Sequence, residues 1–242
     1  MRNHFFLLSL VLLVVVLSGC LTQASPNPTP TPPLEGQKFS LTGVAEDVNS
    51  NLAFWNGTAT LNGQSVPIRD GGFQFLNLTP GTYTLTIKKS FYQPYQRQVV
   101  ITNANITLTA QLRTVFSSSE LDLLARLVYA EAKGEKYEGQ VAVAASVLNR
   151  VLHPDYPNSL GGVINQVVIL GGKRYYQYEP VLNGTINIPA SLTAINAVSD
   201  ALVGWDPSLG ATGFFAPKKV GSSSWVWSRP ATVTIGNHCF FK

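Results

Sequence analysis

Three glutamates lie within eight residues of one another in the second half of the chain, at Glu131, Glu135 and Glu138. Glu131 directly follows an apolar run, residues 127–130, at the end of a predicted helix. An apolar wall and a helix C-terminus both disfavour the charged carboxylate and raise its pKa. Such a group can be protonated near neutral pH and act as a general acid on a glycosidic oxygen. We expect Glu135 and Glu138, in a polar stretch with nearby glycines, to be solvated. By spacing alone, all three could equally form a charged surface turn.

The elements that must position these glutamates are mainly helical. Ser117 and Glu120 form a capping box, which starts a helix that the apolar spacing extends to about Ala132. Further helices are predicted for residues 138–151, 162–170 and 190–203, and residues 232–241 read as extended strand. The C-terminal half is therefore predicted to be mainly α with small β elements.

Several separated blocks of this half, in the same order, resemble the cell-wall hydrolases of the spore-cortex-lytic type. The blocks are AEAKGEKYEGQVAVAASVLNRV from Ala130, YQYEPVLNG from Tyr176, GWDP from Gly204, GFF from Gly213 and TIGNH from Thr234. The resemblance covers about residues 118–242. It implies a lysozyme-like, lytic-transglycosylase-like α+β fold, glycan strands of peptidoglycan as substrate, and Glu131 as the catalytic acid.

A single acid suffices if the substrate supplies the nucleophile. In a lytic transglycosylase the C6 hydroxyl of N-acetylmuramic acid attacks its own ring, and 1,6-anhydro-muramic acid is formed. The candidate substrate-binding residues are Gln140, Tyr178, Glu179 and Thr234. Glu179 could bind the sugar or be an ordinary surface charge. Thr234 could hydrogen-bond to the substrate, or it could be present only because threonine favours β-strands. A glycosidase that hydrolyses its substrate normally needs a second carboxylate, and Glu179 is then the first candidate.

Residues 38–113 alternate apolar and polar positions with a period of two. Turn signals recur every 8 to 12 residues, and Asn62-Gly63 is a strong hairpin signal. The pattern predicts a small antiparallel β-sandwich. The stretch from Gly72 to Ile87 resembles carboxypeptidase regulatory-like domains. The chain is thus predicted to be multidomain, with this sandwich as a spacer or binding module followed by a catalytic domain over residues 117–242.

The first 37 residues indicate where the protein works. Residues 1–19 read as a signal peptide with a short apolar core, and Leu17-Ser18-Gly19-Cys20 matches a bacterial lipobox. Cys20 is the predicted lipidation site, and residues 20–37 form a Pro/Thr-rich linker. We expect attachment to the extracytoplasmic face of a bacterial membrane. An ordinary secretory signal or a short membrane anchor are the alternatives.

Other classes of function fit less well. The net charge of +4 is not concentrated in a stripe, which argues against nucleic acid. A cysteine peptidase would need Cys239 with His153 or His238, but adjacent strand residues such as His238 and Cys239 face opposite sides. No metal-ligand spacing is present, and no cofactor is expected. A non-catalytic envelope-binding lipoprotein stays open, and protein partners are not indicated.

The predicted anchor can be tested by replacing Cys20. We expect Cys20→Ala to abolish acylation and to release the protein from the membrane fraction, because the thioether lipid supplies the hydrophobic anchor. Mass spectrometry of the mature N-terminus together with membrane fractionation measures both. Acylated, membrane-bound Cys20→Ala protein would show that the lipobox interpretation is wrong.

Overall fold

The computed structural model describes residues 36–242 of the chain. The predicted signal peptide, Cys20 and most of the predicted linker lie outside the described residues. Among those that are described, no helix is both long enough and apolar enough to span a membrane.

Seven strands form one hydrogen-bonded sheet in the N-terminal part. Around the Asn62-Gly63 turn, Leu61 pairs with Gln64, and both turn residues have positive φ (45° and 91°), so the predicted hairpin is confirmed. The order across the sheet is β6-β5-β2-β3-β4-β1-β7. The strands are β1 (Phe39–Asp47), β2 (Asn56–Leu61), β3 (Gln64–Arg69), β4 (Gly72–Leu78), β5 (Gly81–Lys88), β6 (Tyr95–Ile101) and β7 (Ile106–Leu112).

Alternate side chains of these strands are buried, as the period of two predicts. Leu85 and Ile87 in β5 are fully buried, while the polar residues between and beside them are not. The prediction of purely antiparallel pairing is wrong for one pair, because β1 and β7 run parallel. The spacing of turns cannot predict the direction in which β1 and β7 pair, because these two strands lie far apart in the sequence. A sandwich of separate sheets stays a prediction.

The C-terminal part is α+β. Helix α2 is its centre, with an almost continuous buried run from Gly139 to Leu148, and it packs against α1 and α5. The helices are α1 (Ser118–Ala132), α2 (Tyr137–Leu152), α3 (Leu160–Ile164), α4 (Glu179–Asn183) and α5 (Leu192–Val203); the strands are β8 (Val167–Leu170), β9 (Lys173–Tyr176), β10 (Gly213–Phe215), β11 (Ala231–Ile235) and β12 (His238–Phe241). The predicted capping box of α1 at Ser117 and Glu120 is present.

Two predicted elements differ from the structure. The helix predicted for residues 162–170 ends at Ile164, and Val167–Leu170 instead pairs with Lys173–Tyr176 in a hairpin. Its turn uses Gly171 and Gly172, both with positive φ, which a helix would not accommodate. The predicted extended tail is also a hairpin, because Gly236 adopts φ 58° and turns the chain between β11 and β12.

The sheet and the helices belong to one compact unit. Trp55, in the loop before β2, donates its backbone N–H to the Val203 carbonyl at the end of α5 (3.0 Å). The Trp55 ring stacks on Trp205, with ring centroids 6.0 Å apart and planes within 13°. These contacts fix the end of α5 against the sheet.

Candidate active site

Glu131 lies in the last turn of α1, where the sequence predicts it. The residues before it on the helix, Leu127 and Val128, are completely buried, and Ala132 after it is 1% exposed. The Glu131 side chain is itself partly buried. The helix thus carries its carboxyl group at the margin of the apolar core, with one side open.

The surroundings of Glu131 favour the protonated acid. Burial raises the pKa of Glu131 to about 7; the negative charge of Glu179 adds to the rise, and the positive charge of Lys219 opposes it. Glu179 is exposed at the first residue of α4, while Lys219 follows Pro217 in a short 3₁₀ turn. At neutral pH a carboxyl group with this pKa is present in both forms, as a group that first donates and then accepts a proton must be.

Tyr178 forms a buried wall of the same site. It is 3% exposed, and its hydroxyl has no hydrogen-bond partner among the described residues. Burial raises the pKa of Tyr178 to about 12; Arg150 acts against the rise and Glu131 adds to it. The hydroxyl therefore keeps its proton and is available as a donor beside Glu131. A buried polar atom without a hydrogen-bond partner calls for an explanation, and a catalytic role is one.

Arg150 holds Tyr178 in place from the far end of α2. Its guanidinium lies 5.1 Å from the Tyr178 ring and 5.0 Å from the Tyr156 ring, within cation–π range. The Nε–H donates to the Thr212 carbonyl, and Nη1 donates to Gln177 Oε1 at 3.4 Å. This buried cation ties the loop before α4 to the strand region that follows α5.

A row of rings continues the wall across the terminal strands. Phe214 lies 6.5 Å from Tyr178 and 5.1 Å from His238, measured between ring centroids. Beyond this row, Trp225 and Trp227 are 66% and 47% exposed. Exposed indole rings offer flat apolar faces on which a sugar can stack.

Glu135 is more solvated than Glu131, as the sequence predicts, but hydrogen bonds also hold its carboxylate in place. Its two oxygens accept hydrogen bonds from the Asn237 backbone N–H (2.9 Å) and side-chain amide (3.0 Å). Burial alone would raise the pKa of Glu135, but these hydrogen bonds lower it below its ordinary value. A Cβ on Gly236 would lie 2.0 Å from Glu135 Oε2, so any other residue there would displace the Glu135 carboxylate from these hydrogen bonds. Glu135 therefore clamps the β11–β12 turn to the loop that follows α1. Glu138 is exposed, as expected.

The other predicted binding residues occupy varied positions. Gln140 is buried, and its amide nitrogen donates to the Glu135 carbonyl at 3.3 Å, while its Oε1 has no partner among the described residues. Thr234 is exposed on β11. Glu179 influences the charged state of Glu131, and Glu131 influences that of Tyr178. Gln140 hydrogen-bonds to the Glu135 backbone, and Thr234 lies on the strand before the turn that Glu135 holds. Sequence reasoning missed Lys219, because a lysine pair after a proline carries no motif.

The structure offers little for a thiol mechanism. Within residues 36–242, the Cys239 sulfur has one hydrogen-bond contact, to the Phe240 carbonyl at 4.0 Å. His238 is buried between rings, and its Nδ1 has no partner in the same range. The described residues also contain no cluster of three or more His, Cys, Asp or Glu side chains that could hold a metal ion.

The C-terminal part of the chain, which contains this site, is similar to known proteins. Residues 134–241 match the sequence model of the Cell Wall Hydrolase family. The C-terminal part of this chain is a cell wall hydrolase domain. The resemblance predicted from the sequence is thereby confirmed for this domain, whereas the resemblance of the N-terminal sheet to carboxypeptidase regulatory-like domains stays a prediction. The match begins just after Glu131.

Relatives of the hydrolase domain are spore cortex-lytic enzymes. The enzyme of Bacillus subtilis is 44% identical over 125 residues, which are 52% of this chain and 38% of the relative. That of Halalkalibacterium halodurans is 42% identical over 137 residues, 57% of this chain and 39% of the relative. The chain thus spans less than half the length of these relatives. Among solved structures, the catalytic domain of the germination-specific lytic transglycosylase SleB from Bacillus anthracis is 39% identical, covering 53% of this chain and 98% of that one, with a TM-score of 0.47.

The raised pKa of Glu131 predicts a pH-dependent cost in stability. Between pH 4.5 and 7 the folded protein holds a proton that the unfolded chain releases, so stability is lost as pH rises through this range. A shift to about pKa 7 corresponds to about 3 kcal/mol. We expect Glu131→Gln to be more stable than wild type by about 2–3 kcal/mol at pH 8, but by little at pH 4.5. Urea unfolding at both pH values measures the difference.

Glu138→Gln is the matched control, because Glu138 is an exposed glutamate in the first turn of α2. Its stability relative to wild type should change little between the two pH values. A Glu131→Gln effect that is the same at pH 4.5 and pH 8 would contradict the desolvated carboxyl group.

Proposed function

We propose that this protein is a lipid-anchored enzyme that cleaves the glycan strands of peptidoglycan as a lytic transglycosylase. The observation that carries the proposal is Glu131, a partly buried carboxyl group with a pKa near 7 in an open site. The similarity of the hydrolase domain to spore cortex-lytic enzymes supports peptidoglycan as substrate. Vegetative wall and spore cortex both satisfy this chemistry.

Glu131 acts first as an acid and then as a base. The protonated carboxyl group donates to the glycosidic oxygen while the bond from C1 of N-acetylmuramic acid to that oxygen breaks. The C6 hydroxyl of the same sugar then forms a bond to C1, and its proton passes to the Glu131 carboxylate. The enzyme is regenerated, no water is consumed, and the new end is a 1,6-anhydro sugar. The C6 hydroxyl and C1 belong to the same sugar, so proximity replaces a bound water.

The neighbours of Glu131 have separate tasks in this scheme. Burial is the main cause of the raised pKa of Glu131; the charge of Glu179 adds to the rise and that of Lys219 limits it, so both forms are accessible near neutral pH. We assign to the Tyr178 hydroxyl, which is buried and has no hydrogen-bond partner among the described residues, a hydrogen bond to the substrate. Trp225 and Trp227 present exposed rings for sugar faces. Gln140 and Thr234 complete the proposed binding set.

The N-terminal regions would place this chemistry in the envelope. We assign residues 1–19 to a signal peptide, Cys20 to the lipid attachment and residues 20–37 to a spacer. Residues 38–113 would form a β-sandwich that positions the catalytic domain, residues 117–242, relative to the membrane. The stacking of Trp55 on Trp205 gives the sheet a physical link to the helices.

The chemistry can be tested on purified peptidoglycan sacculi. Glu131→Gln keeps the size and hydrogen bonding of the side chain but cannot protonate the leaving oxygen. We expect kcat to fall by about 10²- to 10⁴-fold or more while the fold is retained. Glu138→Gln and Cys239→Ser are controls that should keep most of the activity, since neither is placed at Glu131. Release of soluble muropeptides measures the rate.

The mass of the products decides between the two glycan-cleaving mechanisms. Transglycosylation gives muropeptides about 18 Da lighter than hydrolysis does, or about 20 Da lighter after reduction, because ring closure eliminates a water. Reducing ends without anhydro sugars would reject transglycosylation and make Glu179 the first candidate for a second carboxylate. A fully active Glu131→Gln would reject the assignment of Glu131. A wild-type protein that binds sacculi without cleaving them would favour the non-catalytic envelope lipoprotein.

A further inference from the structure

The β8–β9 hairpin has an exposed tip, defined here as residues 169–175. Every residue of this tip is exposed to solvent. Gly171 and Gly172 make the turn with positive φ (56° and 76°), as a tight hairpin requires. At the base of the hairpin, the Gln177 N–H donates to the Gln166 carbonyl at 3.1 Å. The turn and the closed base therefore give the tip a defined shape outside the core.

The hairpin tip presents large apolar side chains to solvent. Ile169 is 65% exposed and Leu170 is 63% exposed, and Tyr175 on the other strand is 49% exposed. Neighbouring apolar side chains of this size are unfavourable in water, and an exposed group of them marks an interaction site. The two aliphatic side chains have no polar atom that could bind a sugar hydroxyl, so a glycan strand is a poor partner for them.

Each aliphatic residue of the tip has a cation opposite it. Leu170 pairs with Lys173 across the two strands. Ile169 pairs with Arg174 in the same way, and directly opposed residues share one face of a hairpin. Neither cation forms a salt bridge within residues 36–242, and the sequence from 156 to 178 contains no aspartate or glutamate. The tip is therefore apolar and positively charged on both faces.

A partner that fits this tip must be anionic at its surface and apolar just beneath it. A bilayer with anionic phospholipid has both properties, since its phosphate groups attract cations and its acyl chains accept aliphatic side chains. Lysine and arginine can lay their methylene stems along apolar surface while the charge reaches the headgroups, and a tyrosine ring suits the same interface. An anionic wall polymer would match the charges but would leave the aliphatic side chains in water.

We propose that the hairpin tip inserts into the surface of a bilayer that contains anionic phospholipid. Ile169 and Leu170 enter the boundary of the acyl chains, and Lys173 and Arg174 contact lipid phosphates. The tip is then a second membrane contact besides the proposed lipid anchor; only the presence of a nearby membrane rests on the proposed function. Tyr178 follows the hairpin directly, so this contact also orients the candidate active site relative to the membrane.

Flotation with lipid vesicles measures this binding without the anchor. The protein is the chain from residue 20 to 242 with Cys20→Ala, made without the signal peptide, so that neither an acyl chain nor the apolar leader can bind lipid. It retains the whole compact unit that the sheet and the helices form. We expect it to bind phosphatidylcholine vesicles containing about 30% phosphatidylglycerol at least ~10-fold more tightly than pure phosphatidylcholine vesicles, because each cation near an anionic surface contributes about 5-fold. Raising the salt from about 0.1 M to about 0.5 M should weaken the binding.

Substitutions in the same protein test the charge. Lys173→Gln with Arg174→Gln should lower the affinity for the anionic vesicles at least ~10-fold. Lys88→Gln with Arg97→Gln is the matched control, because it removes one exposed lysine and one exposed arginine from the sheet. The control should bind as wild type does, since its net charge changes equally but its hairpin is intact.

A second substitution tests the apolar contact. Leu170→Ser should lower the affinity for the anionic vesicles at least ~5-fold, because the leucine no longer gains from leaving water. Leu192→Ser is its control, since Leu192 is 72% exposed on α5, outside the hairpin, and the variant should bind as wild type does. All these side chains are exposed, so each variant should keep the wild-type melting temperature.

Three results would overturn the proposal. They are no binding up to about 1 mM accessible lipid, equal binding to neutral and anionic vesicles, and wild-type affinity in the hairpin variants. Hairpin variants that lose affinity for sacculi but not for vesicles would assign the tip to a wall polymer and overturn it as well. Cleavage of suspended sacculi needs no membrane, so its rate tests the proposed function separately from the vesicle binding.

Discussion

The partial burial of the Glu131 carboxyl group is the constraint on which the rest of the structure depends. An ionised carboxylate at the edge of an apolar core is costly, and the charge of Glu179 increases that cost. The fold sustains it because α1 is anchored elsewhere, through its capping box and through the burial of Leu124, Leu127 and Val128. Because burial destabilises the ionised form, Glu131 keeps its proton to near neutral pH and can donate it.

Two sets of contacts keep this unfavourable group in place. On one side, the Glu135 carboxylate holds the backbone and side chain of Asn237, so the terminal hairpin closes against the loop that follows α1. On the other, Arg150 lies between the rings of Tyr156 and Tyr178. Two glutamates four residues apart thus have opposite roles: Glu135 is stabilised as an anion by hydrogen bonds, and Glu131 is destabilised as one by burial.

The sequence predicts the parts of the fold that depend on local chemistry. The capping box, the apolar face of α1 and the Asn62-Gly63 hairpin are set by neighbouring residues, and all three are present. The environment of Glu131 is also anticipated, because the apolar run that precedes it is visible in the chain. Features that depend on distant contacts were missed or wrong. The parallel pairing of β1 with β7 and the clamp from Glu135 to Asn237, 102 residues away, leave no local signal.

The central claim is that Glu131 is a protonated acid near neutral pH, and a direct titration of its carboxyl group tests it. The measurement is the ¹³C chemical shift of the Glu131 side-chain carboxyl as a function of pH, assigned by the resonance missing from Glu131→Gln. The account predicts a midpoint at a pKa of about 7, well above the ordinary value of 4.5. A midpoint near 4.5 would contradict it, because Glu131 would then be an ordinary solvated carboxylate with no proton to donate.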